Sequence, residues 1–173
     1  MKNLLAAFFA ALPILTAAEA PFKELPLPEV KAVLLVPDGW TSSHEAEDGV
    51  FVYHFVKGDA SSGTSVTLSV TTKVPDRTGQ SPAAYAASLI EMSLEGSANA
   101  PIEKADVKGL KSIRTEYDFE SDAGKMRAVN VALANETSGT LYFFAWQAPL
   151  DESAELEAIR DKIVSSAVFD PAF

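Results

Sequence analysis

The sequence contains no cysteine. That excludes a disulfide framework, a thiol nucleophile, a thiolate metal site and a lipid-bearing cysteine behind a leader, so the chain has to stand on its own hydrophobic core. Histidine is almost as scarce, with His44 and His54 the only two in 173 residues. A serine nucleophile needs a base within hydrogen-bond reach, so there is little here from which to build histidine-assisted acyl transfer. GxSxG, HExxH and a glycine-rich phosphate loop are also missing, and with them the common hydrolase, metalloprotease and nucleotide signatures. Positive charge is in short supply: 14 Lys and Arg face 24 Asp and Glu, a net charge of −10. Nucleic-acid phosphates need clustered cations, and an anionic membrane surface would repel this chain. Neither is an expected partner.

No long apolar run is present either. Leu4–Leu15, LLAAFFAALPIL, has twelve residues, short of the roughly 20 that a spanning helix requires. Lys2 before it and Ala18-Glu19-Ala20 after it supply the positive n-region and the small residues of a signal peptide. Residues 1–20 are therefore expected to be a signal peptide, cleaved after Ala20, and the product to be periplasmic or extracellular with no stable membrane insertion. Residues 21–30, PFKELPLPEV, carry three prolines and are expected to form an extended leader, free to dock on a partner or else packed across its own domain. Residues 31–173 show no internal repeat, low-complexity tract or linker and are read as one domain.

Along that domain, Lys31–Val36 is a β-branched strand stopped by Pro37-Asp38-Gly39, and Thr41–Gly49 reads as a solvated loop. Val50–Val56 and Thr64–Lys73 are two further strands. In the second, Val66, Leu68 and Val70 alternate with Thr67, Ser69 and Thr71, the mark of one buried face. Ser81 followed by Pro82 opens a helix. Tyr85, Leu89 and Met92 lie at helical spacing with Ala86, Ile90 and Leu94 beside them, and Gly96 closes it. Four strand-like segments follow. In the last, Leu141, Phe143 and Ala145 alternate with Tyr142, Phe144 and Trp146, so it is apolar on both faces and belongs in the centre of a covered sheet. A C-terminal helix, capped by Asp151 or Ser153, would turn Leu156, Ile159, Ile163 and Ala167 inward. Strands joined by hairpin-length turns and interrupted by two helices give an α+β class, an antiparallel β-sheet with helices on both faces.

The strand ending VPDGW, the hairpin, the helix beginning SPAAYAASL, the later antiparallel strands and the final helix ending IVSSAVF resemble the PsbP-like/Mog-like group, which includes DcrB-type exported bacterial domains. The resemblance implies an α/β/α sandwich and non-catalytic binding or assembly roles, with no catalytic motif to carry over.

The richest short stretch is VLLVPDGWTSSHEAEDG, Val33–Gly49. Trp40 has a large apolar area to bury, and packing is favoured over ligand stacking. His44 with Glu45 and Asp48 has metal-ligand chemistry, but a flexible wet loop is a poor cage, and no metal or other cofactor is expected. His54 lies on a strand face with Val52 and Val56, where a hydrogen-bonded histidine is the simplest reading. In EYDFESDAGKMR, Glu116, Asp118 and Glu120 share one strand face. Pairing the hairpin about Ser121–Gly124 sets Glu120 opposite Lys125 and Asp118 opposite Arg127, which neutralises the carboxylates without a ligand. Asn135 opens the sequon NET, read as the hairpin turn NETSG. The chain is thus expected to be no enzyme but an exported binding or assembly module acting through protein contacts in the cell envelope. The alternative is a small-ligand or cation carrier, with Trp40, Tyr53 and His54 lining a cleft, or His44, Glu45 and Asp48 holding a metal.

Overall fold

The structure is a computed structural model that describes residues 21–59, 62–94, 100–122 and 124–173. The expected signal peptide, and Gly96 as a helix stop, lie outside the described residues. The chain opens with β1 (Phe22–Leu27), a 3-10 turn at Pro28–Val30 and β2 (Ala32–Pro37). β1 runs antiparallel along β2, with Phe22 opposite Pro37 and Leu27 opposite Ala32. The leader is therefore tied to its own domain and not free for a partner. Phe22 and Leu25 pack on the core, and Pro26 is tolerated because β1 is an edge strand. β10 (Val168–Phe169) pairs on the other side of β2, completing a three-stranded sheet.

Pro37-Asp38-Gly39 then turns the chain into a second sheet, with Gly39 in the left-handed region at φ +81. Its strands are β3 (Trp40–Glu47), β4 (Val50–Lys57), β5 (Ser65–Thr71), β6 (Ile102–Val107), β7 (Leu110–Ser121), β8 (Gly124–Asn135) and β9 (Thr140–Pro149). Their order is β3-β4-β5-β9-β8-β7-β6, and every pairing is antiparallel. The solvated loop expected after Trp40 is in fact the edge strand β3, exposed from Thr41 to Glu47. An edge strand pairs on one side only, so a polar sequence meets no burial cost there.

Three helices complete the fold among the described residues: α1 (Val74–Thr78), α2 (Pro82–Ser93) and α3 (Ser153–Ser166). α2 starts where Ser81 and Pro82 place it, the Ser81 hydroxyl accepting from the Ala84 N–H at 3.3 Å. Its inward row is Pro82, Ala86 and Ile90, packed on Ala132, Ala134 and Leu141. Met92, at helical spacing with Tyr85 and Leu89, is 54% exposed, because the helix meets the sheet along the Pro82–Ala86–Ile90 row. α3 lies on the opposite face with the small sheet, turning in Leu156, Ile163 and Ala167. Its expected side-chain cap is not formed: Glu152 occupies the N-cap without such a bond, and the Ser153 hydroxyl donates back to Leu150 O. β9 is the central strand, with Tyr142, Phe144 and Trp146 in the α3-side core and Leu141 in the α2-side core. The result is an α/β/α sandwich.

The charged hairpin has the register read from its sequence, Glu120 opposite Lys125 and Asp118 opposite Arg127. Arg127 grips Asp118 with Nε at 2.8 Å and Nη2 at 3.2 Å, and that hydrogen bonding holds the Asp118 carboxyl below its ordinary pKa. Glu116, left unassigned by the pattern, is held by Arg114 at 2.6 Å and Arg127 at 3.5 Å. Asn135 makes the NETSG turn by accepting from the N–H groups of Thr137 and Ser138, while its Nδ2 donates to Pro171 O at 3.0 Å.

Candidate functional site

The β3–β4 register sets His44 opposite Tyr53, and their rings stack with centroids 5.7 Å apart. The Tyr53 hydroxyl donates to Glu29 Oε2 at 3.0 Å, and His44 Nε2 lies 3.7 Å from Glu29 Oε1. Burial, reinforced by the bond to Glu29 and its charge, raises the Tyr53 phenol well above its ordinary pKa. Glu29 escaped the sequence reading because it sits in the proline-rich leader, far from both partners along the chain. Trp40 is on the same sheet face, 8% exposed and stacked on Trp146 at 6.1 Å. His54 is not with them. As the next residue after Tyr53 it points to the opposite face, where its Nδ1 is 3.1 Å from Thr67 Oγ1. A cleft shared by Trp40, Tyr53 and His54 therefore does not form, and Trp40 and Tyr53 are packed into the core. His44 and Glu45 likewise point to opposite faces of β3, and Asp48 sits in the turn beyond, 3.5 Å from Arg77 Nη1. These three do not converge on a cation.

Concave space lies elsewhere on the same face. Beneath α3 is a cavity of about 430 Å³. Its floor comes from Val66 of β5, Leu110 of β7, Val129 and Val131 of β8, and Phe144 and Trp146 of β9. The alternation of β8 explains that floor: Val129, Val131 and Leu133 face α3, while Ala132 and Ala134 face α2. The roof is Val164, Ala167 and the C-terminal Val168–Pro171. Three cationic side chains border this apolar space: Lys108, Arg114 and Arg160. Lys108 Nζ reaches from the β6–β7 turn to the end of α3, donating to Ser165 O at 3.0 Å and Ala167 O at 3.3 Å. Arg114 of β7 is paired with Glu103 and Glu116. Arg160 occupies the inward row of α3 between Leu156 and Ile163, its side chain 7% exposed and held by Glu157 at 3.0 Å and Asp161 at 2.8 Å. A second, smaller cavity on the α2 face, near Ser93, Tyr117 and Phe143, is about 320 Å³. The signal for the main site was present in the sequence, a basic residue at an apolar spacing in α3, but the pattern alone reads it as a solvated position.

The architecture is a PsbP/Mog-like fold. The chain belongs to the serine/threonine kinase C-terminal domain family, which residues 33–168 match. Among solved structures it is similar to cyanobacterial PsbP (CyanoP) from Synechocystis sp. PCC 6803, at 14% identity and TM-score 0.60 over 90% of this chain and 96% of that one. The Saccharomyces cerevisiae Ran-binding protein Mog1p is similar at 13% identity and TM-score 0.54, over 87% of this chain and 96% of that one. LpqN of Mycobacterium tuberculosis, involved in cell envelope biogenesis, is similar at 14% identity and TM-score 0.54, over 87% and 92%. At these identities the likeness establishes the fold. No curated protein matches the sequence. Among the described residues no helix is long and apolar enough to cross a membrane.

Proposed function

We propose that the chain is an exported, non-catalytic binding module of the cell envelope that holds a small ligand beneath α3. The observation that carries this reading is the apolar cavity of about 430 Å³, within the roughly 300–1,000 Å³ range of ligand pockets. Its polar lining consists of Arg, Lys, Ser, Asn and Asp side chains, with neither His44 nor His54 among them. That composition suits recognition more than bond-making, which needs a nucleophile, a base and a group to orient it. The family is named for a domain at the C-terminal end of serine/threonine kinases, a module accompanying a catalytic domain. LpqN, with its part in cell envelope biogenesis, supports the compartment, as do Lys2, the Leu4–Leu15 run and Ala18-Glu19-Ala20.

One observation favours protein contacts as a second reading. β6 is one of the two edges of the large sheet and all six of its residues are exposed, with Ile102 at 44% and Val107 at 40%. A partner strand would pair there, and Mog1p, as a Ran-binding protein, shows that a domain of this fold serves protein recognition. Native mass spectrometry of the protein recovered from an envelope extract tests both readings. A stoichiometric small mass that is lost on denaturation, and absent from a Val131→Trp variant, supports the cavity. A ligand-free protein in both forms overturns it. A protein partner released by Ala105→Pro in β6 supports the edge. The same spectrum places the mature N-terminus, expected at Pro21.

A further inference from the structure

We propose that the ligand is an anionic single-chain amphiphile, its acyl chain on the apolar floor and its carboxylate at the end bordered by Arg114 and Arg160. This rests on the cavity reading and names the ligand class.

Lys108, Arg114 and Arg160 all line the cavity, and their positions along β7 and α3 can be related. Lys108 bonds to Ser165 O and Ala167 O, so the start of β7 lies against the end of α3. Four residues further along β7 is Arg114, and seven residues back along α3 is Arg160. At about 3.4 Å per strand residue and 1.5 Å per helix residue, both displacements come to roughly 10–14 Å. Both guanidiniums line the cavity, each at about that distance from the Lys108 contact. Electrostatics link them: Glu157, which holds Arg160, also adds to the field at Arg127, and Arg127 shares Glu116 with Arg114.

An apolar cavity bordered by guanidiniums is complementary to an amphiphile whose head is negative. The contrast with the rest of the molecule sharpens this, because the chain carries a net charge of −10 and repels anions over its general surface. Arg160 is the most telling residue. An inward helical position that packing would give to leucine instead holds a guanidinium 7% exposed, while its partners Glu157 and Asp161 are 57% and 65% exposed. The carboxylates hold it from the solvent side, and a guanidinium carries five donors, enough to serve a further acceptor on the cavity side. Asp170 also borders the cavity and repels an anion from its own side, whereas Asp161 is neutralised by Arg160 at 2.8 Å. Arginine suits a carboxylate head because its planar fork matches two oxygens.

The test is calorimetric titration of the exported protein, stripped of copurified lipid, with octanoate, decanoate, dodecanoate and tetradecanoate below their micellar concentrations, and with dodecanol as the uncharged match. Saturable one-to-one binding is expected, tightening about three- to fourfold per added methylene until the cavity is full. Dodecanol should bind roughly tenfold or more weakly than dodecanoate. Arg114→Met and Arg160→Met should each weaken dodecanoate by about ten- to a hundredfold and leave dodecanol unchanged. Should Arg160→Met fail to fold, Arg114→Met carries the test, because that side chain is 31% exposed. Equal binding of acid and alcohol, or arginine variants without effect while Val131→Trp abolishes binding, would overturn the anionic head and leave the cavity reading intact. Failure of every amphiphile to bind overturns the inference outright. The cavity reading is judged separately, by the native mass of the extracted protein and of its Val131→Trp variant.

Discussion

The phenol of Tyr53 donates a 3.0 Å hydrogen bond to Glu29, joining the large sheet to the turn of the small one. Burial acts on two tyrosines in the same direction: Tyr53 is raised chiefly by burial and then by Glu29, and Tyr142 is pushed up to about 12, by burial and then by Asp170. An unfolded tyrosine ionises near 10. The raised groups therefore leave stability whole below pH 10 and erode it as pH rises from there through the folded values. Of the four tyrosines, Tyr53 and Tyr142 should ionise only as the protein unfolds in a spectrophotometric titration. Tyr53→Phe should cost about 1 kcal/mol at pH 7 and flatten the alkaline loss. A Tyr53 that titrates freely in the folded protein at pH 10 contradicts the geometry.

Trp40 stacks on Trp146 and is 8% exposed, so its work is in the core. Trp40→Ala should destabilise by about 3–5 kcal/mol, read from urea unfolding at pH 7, with Trp40→Phe well below that. Unchanged stability with lost ligand binding would return Trp40 to a recognition role.

The Asp118–Arg127 pair ties β7 to β8 at the surface, where the two side chains are 49% and 36% exposed. Solvent screening keeps its coupling to about 0.2–1 kcal/mol in a double-mutant cycle. Its pH dependence has a definite sign. The carboxyl is held down by Arg127, so the contribution is present above about pH 4, the unfolded value, and disappears as pH falls through the lower folded one. Acid unfolding of Asp118→Asn should show a shallower decline below pH 4 than the parent chain.

Two glycines in similar turns should behave differently. Gly49 and Gly109 both have left-handed backbones, at φ +74 and φ +82. A methyl group at Gly109 meets nothing within 4 Å, whereas at Gly49 it meets the Arg77 guanidinium and Thr72 Oγ1, the latter at 2.8 Å. Gly109→Ala should cost only the backbone strain, roughly 1–2 kcal/mol. Gly49→Ala should cost clearly more and loosen the Asp48–Arg77 contact, as thermal unfolding of the two variants will show.

What the sequence determined by itself was local. Alternation in Thr64–Lys73 and in Thr140–Ala148 declared which faces were apolar, and doubly apolar β9 duly lies in the middle of the sheet. Ser81-Pro82 opened α2, and opposite charges set the register of the β7–β8 hairpin. Polar β3 looked like a loop because an edge strand is solvated and leaves no periodic trace. The meeting of Glu29 with Tyr53 and His44, the pairing of the leader with β2, and the cavity bordered by Arg114 and Arg160 were decided only by tertiary structure. Periodicity records whether a face of an element is apolar. It does not record which distant element covers that face, or how much space the two leave between them, and a binding site is made of that space.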